Sequence, residues 1–200
     1  PEDLYPEISD NQFQALELLE KTKESLTLEL PTGSGKTAIG YTFLKTLERA
    51  GAKSLFYITP TKTLVDQVKK FHPDIKVAYG RNEYTCLYYQ DQNVSAEDSP
   101  CSMLDCPHRV NLETGETEVV GVTPCSYLQA KFEAKKGGLV VCTTAFYLFT
   151  HLFSQGWEKP EGLVIDEAHR LANTLRNSLS YDITDYYLER VISFMESVDA

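Results

Sequence analysis

The sequence predicts an α/β protein, a parallel sheet flanked by helices and interrupted by a cysteine-rich insertion. Short apolar runs of strand type alternate with stretches of helical periodicity along most of the chain, the pattern expected of a parallel sheet with helical crossovers. A glycine-rich turn, "PTGSGKT" at 31–37, follows one such run and precedes a helical stretch, the setting of a phosphate-binding loop. Between Gly80 and about Pro124 the alternation fails, and four of the five cysteines lie in or at the edge of that segment.

The elements follow in order. Residues 11–24, "NQFQALELLEKTKE", place Phe13, Leu16 and Leu19 on one helical face, with Asp10 as the expected N-cap. Leu26, Leu28 and Leu30 alternate with polar residues, so this stretch reads as a short strand leading into the loop. After Lys36 the helical face is Ile39, Phe43, Leu44 and Leu47, and Gly51 suits a left-handed stop. "SLFYIT" reads as a buried strand and "TLVDQVKKF" as a helix with Leu64, Val65, Val68 and Phe71 at helical spacing. "LVVCT" at 139 and "LVID" at 163 are short apolar runs of parallel-strand type. The closing stretch "DITDYYLERVISFMESVD" predicts a further helix with Tyr187, Val191, Phe194 and Val198 on one face.

Composition narrows the classes. Two hundred residues, 42% hydrophobic and 24% charged, resemble a globular protein with a substantial core. No apolar run approaches the roughly 20 residues of a bilayer span, so no membrane partner is expected. "PEDLYPEISD" lacks an export signal, and without an initiating Met the chain reads as a fragment. The expected location is cytoplasmic, or nuclear in a eukaryote, where cysteines serve as thiols or metal ligands rather than disulfides. A net charge of −10 excludes a surface basic all over, although local patches still decide which polyanions bind.

In a phosphate loop the backbone of Thr32, Gly33, Ser34 and Gly35 turns its N–H groups toward the phosphates. Lys36 reaches the β and γ oxygens and Thr37 ligates Mg²⁺. Leu30 stands where the general pattern has its first glycine. Within "LVIDEAH", Asp166 and Glu167 end an apolar strand. A lone Asp-Glu pair would read as solvated carboxylates. Beside a phosphate loop, Asp166 is expected to hold Mg²⁺ through water and Glu167 to orient and deprotonate the attacking water. Lys36, Asp166 and Glu167 are thus the expected catalytic set.

Cys86, Cys101, Cys106 and Cys125 are separated by fourteen, four and eighteen residues. Their segment offers too little apolar surface to stand alone and calls for a staple. Four thiolates suit either a [4Fe–4S] cluster or Zn²⁺. Structural zinc sites usually bring ligands in two close pairs, and only Cys101 and Cys106 are close, which favours the cluster. Cys142, inside "LVVCT", reads as a buried inert thiol, and His108 as a loop residue.

In this order "PTGSGKT", "ITPTKTLVDQ", "YGRNEYTC", "CSYLQAKFEAKKGGLVVCTTAFYLF" and "VIDEAH" resemble the superfamily 2 helicases of the iron–sulfur, DEAH-containing group that includes XPD and DinG. The resemblance implies a RecA-like motor domain of the P-loop NTPase class over 1–80 and 126–172. It also implies an Fe–S cluster insertion at 81–125 and the start of a helical, arch-type insertion at 173–200. It implies that Gln12 recognises adenine, with Ser9 where the group often has arginine. Thr59, Pro60 and Thr61, and Thr143 and Thr144, would contact the nucleic-acid backbone, and His169 would link the ATP site to those contacts. The implied activity is ATP-dependent 5′–3′ movement on single-stranded DNA coupled to unwinding of forked duplexes, with ATP, Mg²⁺ and a [4Fe–4S] cluster bound. On this reading the chain is an N-terminal fragment of low activity without its remaining helicase domains. The rival readings are a nucleotide-dependent switch or transferase, and a nucleic-acid-binding or interaction module with a zinc-stapled insertion.

Overall fold

Four short strands, β1 (Ser54–Thr59), β2 (Lys76–Ala78), β3 (Gly138–Thr143) and β4 (Gly162–Ile165), make a parallel sheet in the order β2-β3-β1-β4. The structure is a computed structural model that describes residues 8–22, 24–89, 94–99, 105–154 and 157–180. Six α-helices accompany the sheet among these residues. They are α1 (Asp10–Lys21), α2 (Lys36–Arg49), α3 (Lys62–Phe71), α4 (Ser126–Lys135), α5 (Thr144–Phe153) and α6 (Leu171–Leu179).

Continuous apolar runs give β1 and β3 two buried faces, as expected of parallel strands between helical layers. Alternation along β1 sends Leu55 and Tyr57 to one side, where they meet Tyr41 and Leu44 of α2 and Val65 and Val68 of α3. Phe56 and Ile58 go to the other, against Ala134 of α4 and Phe146 of α5. Full burial of a side chain such as Leu44 or Leu55 contributes about 1.5–3 kcal/mol relative to exposure. β1 pairs with both β3 and β4 and is the best-buried strand of the sheet.

Several expectations need correction. The N-cap of α1 is Ser9, not Asp10, because Ser9 and Gln12 close a reciprocal capping box that leaves Asp10 in the first turn. Residues 26–30 keep their alternation, with the leucines half-buried and Thr27 and Glu29 exposed, but form no strand. A period of two decides which side chains face inward; it does not supply a neighbouring edge with which to bond. Phe71 is 72% exposed, since α3 ends there and the next residue, His72, takes the inward position, its ring stacked on Tyr41. On α1 the buried position is Ala15, while Phe13 is exposed.

Residues 81–125 hold little regular structure among those described. They contain a 3₁₀ turn at Arg81–Glu83 and two isolated bridges, Thr85 with Ser95 and Val110 with Thr117. Their buried apolar side chains are few, namely Cys86, Ala96 and Val110. Cys101 and the helix expected from "DITDYYLERVISFMESVD" lie outside the described residues.

Candidate nucleotide site

The turn before α2 is built on two left-handed glycines, Gly33 at φ +82° and Gly35 at φ +79°, a conformation that costs other residues roughly 1–2 kcal/mol. Gly35 is the N-cap of α2, and no side chain caps the helix, so first-turn N–H groups and the positive end of the dipole face the loop. Ser34 N–H donates to Pro31 O at 3.3 Å, while Ser34 Oγ is buried without a hydrogen-bond partner. Lys36 Nζ donates to Leu30 O at 3.2 Å. A buried orphan hydroxyl, an uncapped helix start and a lysine bonded only to a loop carbonyl suit a phosphate group.

Gln12 reaches this loop from α1. Its Oε1 accepts from Ser9 N–H at 3.0 Å, and its own N–H donates to Ser9 Oγ at 3.4 Å. The first of these bonds fixes which end of the amide is oxygen, because a backbone N–H can only donate. The Nε2 group therefore points at the loop, so close to Gly35 that a Cβ there would collide with it. Between α1 and α2 a small cleft is lined by Ile8, Gln12, Leu16, Ala38, Ile39 and Thr42.

The acidic pair extends from β4. Asp166 N–H continues the ladder by donating to Ile58 O at 2.9 Å. Glu167 then takes φ 52° and ψ 44°, alone among the described non-glycine residues in a left-handed conformation, the kind of backbone cost that functional sites retain. Its N–H donates to Asp166 Oδ1 at 3.0 Å, and its Oε2 lies 3.5 Å from His169 Nδ1. Burial raises the Asp166 carboxyl above its ordinary range, and the charge of Glu167 adds to this. Hydrogen bonds from Glu167 N–H and the Tyr57 hydroxyl oppose it, as does the charge of Lys36. Tyr57 was missed at the sequence level; its signal was a tyrosine inside a buried strand where phenylalanine would satisfy packing.

Thr59, Pro60, Thr61, Thr143 and Thr144 gather at the carboxyl ends of β1 and β3, which are neighbours. Thr59, Thr143 and Thr144 are buried and Thr61 is exposed. Their hydroxyls are engaged within the fold. Thr59 donates to Thr61 O and Thr144 to Thr59 O, each at 3.0 Å. Thr61 and Thr143 accept from Leu64 N–H and Phe146 N–H and so cap α3 and α5.

Cys86, Cys106 and Cys125 line one small cavity of about 20 Å³ with Leu87, Tyr88 and Leu128. Among the described residues no three His, Cys, Asp or Glu side chains are grouped to hold a metal ion. Burial opposes ionisation of Cys86, yet its thiol is shifted downward by its hydrogen bond with Ser99 Oγ, by those with the backbone of Tyr89 and Tyr88, and by the charge of Arg81. Cys142 is fully buried in β3, and desolvation pushes its thiol far up, as expected of an inert position.

Residues 6–193 match the family described as type III restriction enzyme, res subunit. A probable ATP-dependent helicase of Methanocaldococcus jannaschii is 25% identical over 203 residues, covering 87% of this chain and 30% of that protein. The chain therefore spans less than a third of the length of this relative. No solved structure matches it. A phosphate loop and an acidic pair at one end of a parallel sheet, under a family match over nearly the whole length, agree: the chain belongs to the type III restriction enzyme res-subunit family, a helicase-family domain of superfamily 2.

Proposed function

We propose that this chain is the first motor domain of an ATP-dependent DNA helicase that moves 5′ to 3′ along single-stranded DNA and opens forked duplexes, completed by helicase domains outside it. The observation that carries the reading is the approach of Gln12 to the glycine turn that starts α2, with an acidic pair following β4. The helicase name of the archaeal relative supports it.

On this reading Lys36 exchanges the Leu30 carbonyl for phosphate oxygens, and the Gly33–Gly35 backbone and first-turn N–H groups of α2 bind the rest. Gln12 offers its amide toward the base. Thr37 and Asp166 would hold Mg²⁺, which when bound neutralises charge on the transferred phosphate. Glu167 accepts the proton of the attacking water, its backbone turning the side chain past the end of β4. His169 beside it couples this base to the strand ends where DNA would lie.

The same proposal includes a [4Fe–4S] cluster on Cys86, Cys101, Cys106 and Cys125. It is supported by three of these cysteines sharing a cavity, by the lowered thiol pKa of Cys86 and by the thin core around them. Zn²⁺ on the same thiolates is the rival.

The test is ATP hydrolysis with and without single-stranded DNA, alongside iron, sulfide and zinc analysis of anaerobically prepared protein. DNA-stimulated hydrolysis is expected. It should fall on the order of 100-fold or more in Lys36→Ala and vanish in Glu167→Gln, which should still bind ATP. Brown colour with iron and sulfide is expected, and stoichiometric zinc in colourless protein would overturn the cluster. Hydrolysis indifferent to Lys36→Ala would overturn the site.

A further inference from the structure

The side chain of Gln12 is committed at one end and open at the other. Its Oε1 accepts from Ser9 N–H at 3.0 Å, and its backbone N–H donates to Ser9 Oγ at 3.4 Å, which closes the capping box of α1. Nε2 makes no hydrogen bond among the described residues. It lies against Gly35, so close that a Cβ there would collide with it. The cleft beside it is lined by Ile8, Leu16, Ala38 and Ile39, with Gln12 and Thr42 as its polar residues. Thr42 is 3% exposed, so discrimination between bases entering this cleft falls to Gln12.

The two purines differ at the edge that a glutamine amide can read. Adenine presents the N7 acceptor and the N6 amino donor, guanine the N7 and O6 acceptors. Choosing adenine takes both amide atoms side by side, with Nε2–H donating to N7 and Oε1 accepting from the N6 amino group. With Oε1 turned back onto Ser9, only the two N–H donors of Nε2 are left to face a base, and N7 of either purine satisfies one of them. Guanine O6 accepts from such a donor, whereas the adenine amino group finds no acceptor there.

We propose that the capping box makes Gln12 a donor-only reader of the base, so that the site takes guanine nucleotides as readily as adenine ones. The inference rests on the nucleotide reading above. Ser9 thereby sets the choice of base, through its backbone N–H rather than its hydroxyl, because that N–H holds Oε1. Ser9 has φ −74°, inside the range of proline, so Ser9→Pro removes the N–H and keeps the path of the backbone.

The experiment measures binding of ribose-labelled fluorescent ADP and GDP, with Mg²⁺, to the 200-residue chain and to Ser9→Ala, Ser9→Pro and Gln12→Glu. The parent is expected to bind GDP within about 5-fold of ADP, the low end of what a bidentate base contact discriminates. Ser9→Ala loses the hydroxyl, keeps the N–H and should hold the parent's ratio. Ser9→Pro frees Oε1 and should move the ratio toward ADP by roughly 5- to 150-fold. Gln12→Glu retains the capping box but puts an acceptor where the donor stood, so it should weaken GDP more than ADP. A wider gap in favour of ADP in the parent would overturn the proposal. So would an unmoved ratio in Ser9→Pro, the same shift in Ser9→Ala, or a Gln12→Glu loss equal for both nucleotides. Failure of the parent to bind either nucleotide would overturn the nucleotide reading, and this inference with it.

Discussion

Asp166 shows how a site residue can work against the fold that holds it. Its carboxyl is raised above 3.8, first by burial and further by Glu167, so the folded state binds that proton more tightly than the unfolded chain does. The sign follows: stability contributed at low pH is lost as pH rises through the raised value. Asp166→Asn should therefore raise the melting temperature of the ligand-free chain at pH 7 and abolish turnover. The gain should shrink when melting is measured near pH 3.5, and an equal gain at both pH values would place its origin elsewhere. Lys36, Gly33, Gly35, Asp166 and Glu167 were legible in the sequence because each lies in a short motif whose residue order is its own signal. Ser9 was not, because it was displaced by the equally good capping residue beside it. The threonines at the strand ends were legible as a cluster, but their hydroxyls could not be read as caps until the helix starts were fixed.

At the scale of elements, His72 ties the end of α3 to α2 and His151 ties α5 to Phe56 of β1. His72, at the end of α3, stacks on Tyr41 of α2 with ring centroids 3.4 Å apart, and burial, helped by Lys45, holds its pKa below 6.5. His151 on α5 stacks on Tyr147 at 4.1 Å and lies 5.0 Å from Trp157. Burial also depresses its pKa, although the Tyr147 carbonyl favours the proton. With folded values below the unfolded one, acidification protonates the unfolded chain first, so stability is lost as pH falls through 6.5 toward the folded values. The urea midpoint should drop between pH 7 and about 5.5, and a His72→Phe, His151→Phe variant should flatten that drop. An equally steep fall in the double variant would exclude these rings as its source. Among the elements themselves, β1 and β3 were legible because a continuous apolar run can be buried on both faces only as an inner strand, and β4, at the edge of the sheet, by its short apolar run before the acidic pair. The 26–30 strand was misread because alternation carries no information about a pairing partner, and α4 was legible only as part of a segment returning to the sheet.

For the whole molecule, the parallel sheet and the scarcity of regular structure among the described residues of 81–125 were visible as a change of pattern, because burying a core requires periodicity and that stretch of sequence lacks it. If this chain is one lobe of a two-lobed motor, charge on the transferring phosphate lacks the arginines of the other lobe, and such groups are worth about 10³–10⁵ in rate. The 200-residue chain should then hydrolyse ATP slowly and displace no strand, whereas a chain extended through the second lobe should do both. Efficient strand displacement by the 200-residue chain would refute the two-lobe reading. Because the strands are parallel, α3 and α5 both start at the carboxyl edge, beside the uncapped start of α2, and three dipoles of about half a positive charge each point there. The body behind them carries −10. Attraction from the helix ends reaches only about a Debye length, roughly 8 Å in physiological salt, while at low salt the repulsion of the body extends further. A polyanion should therefore meet this edge faster as moderate salt is added, the reverse of the behaviour of a uniformly basic binder.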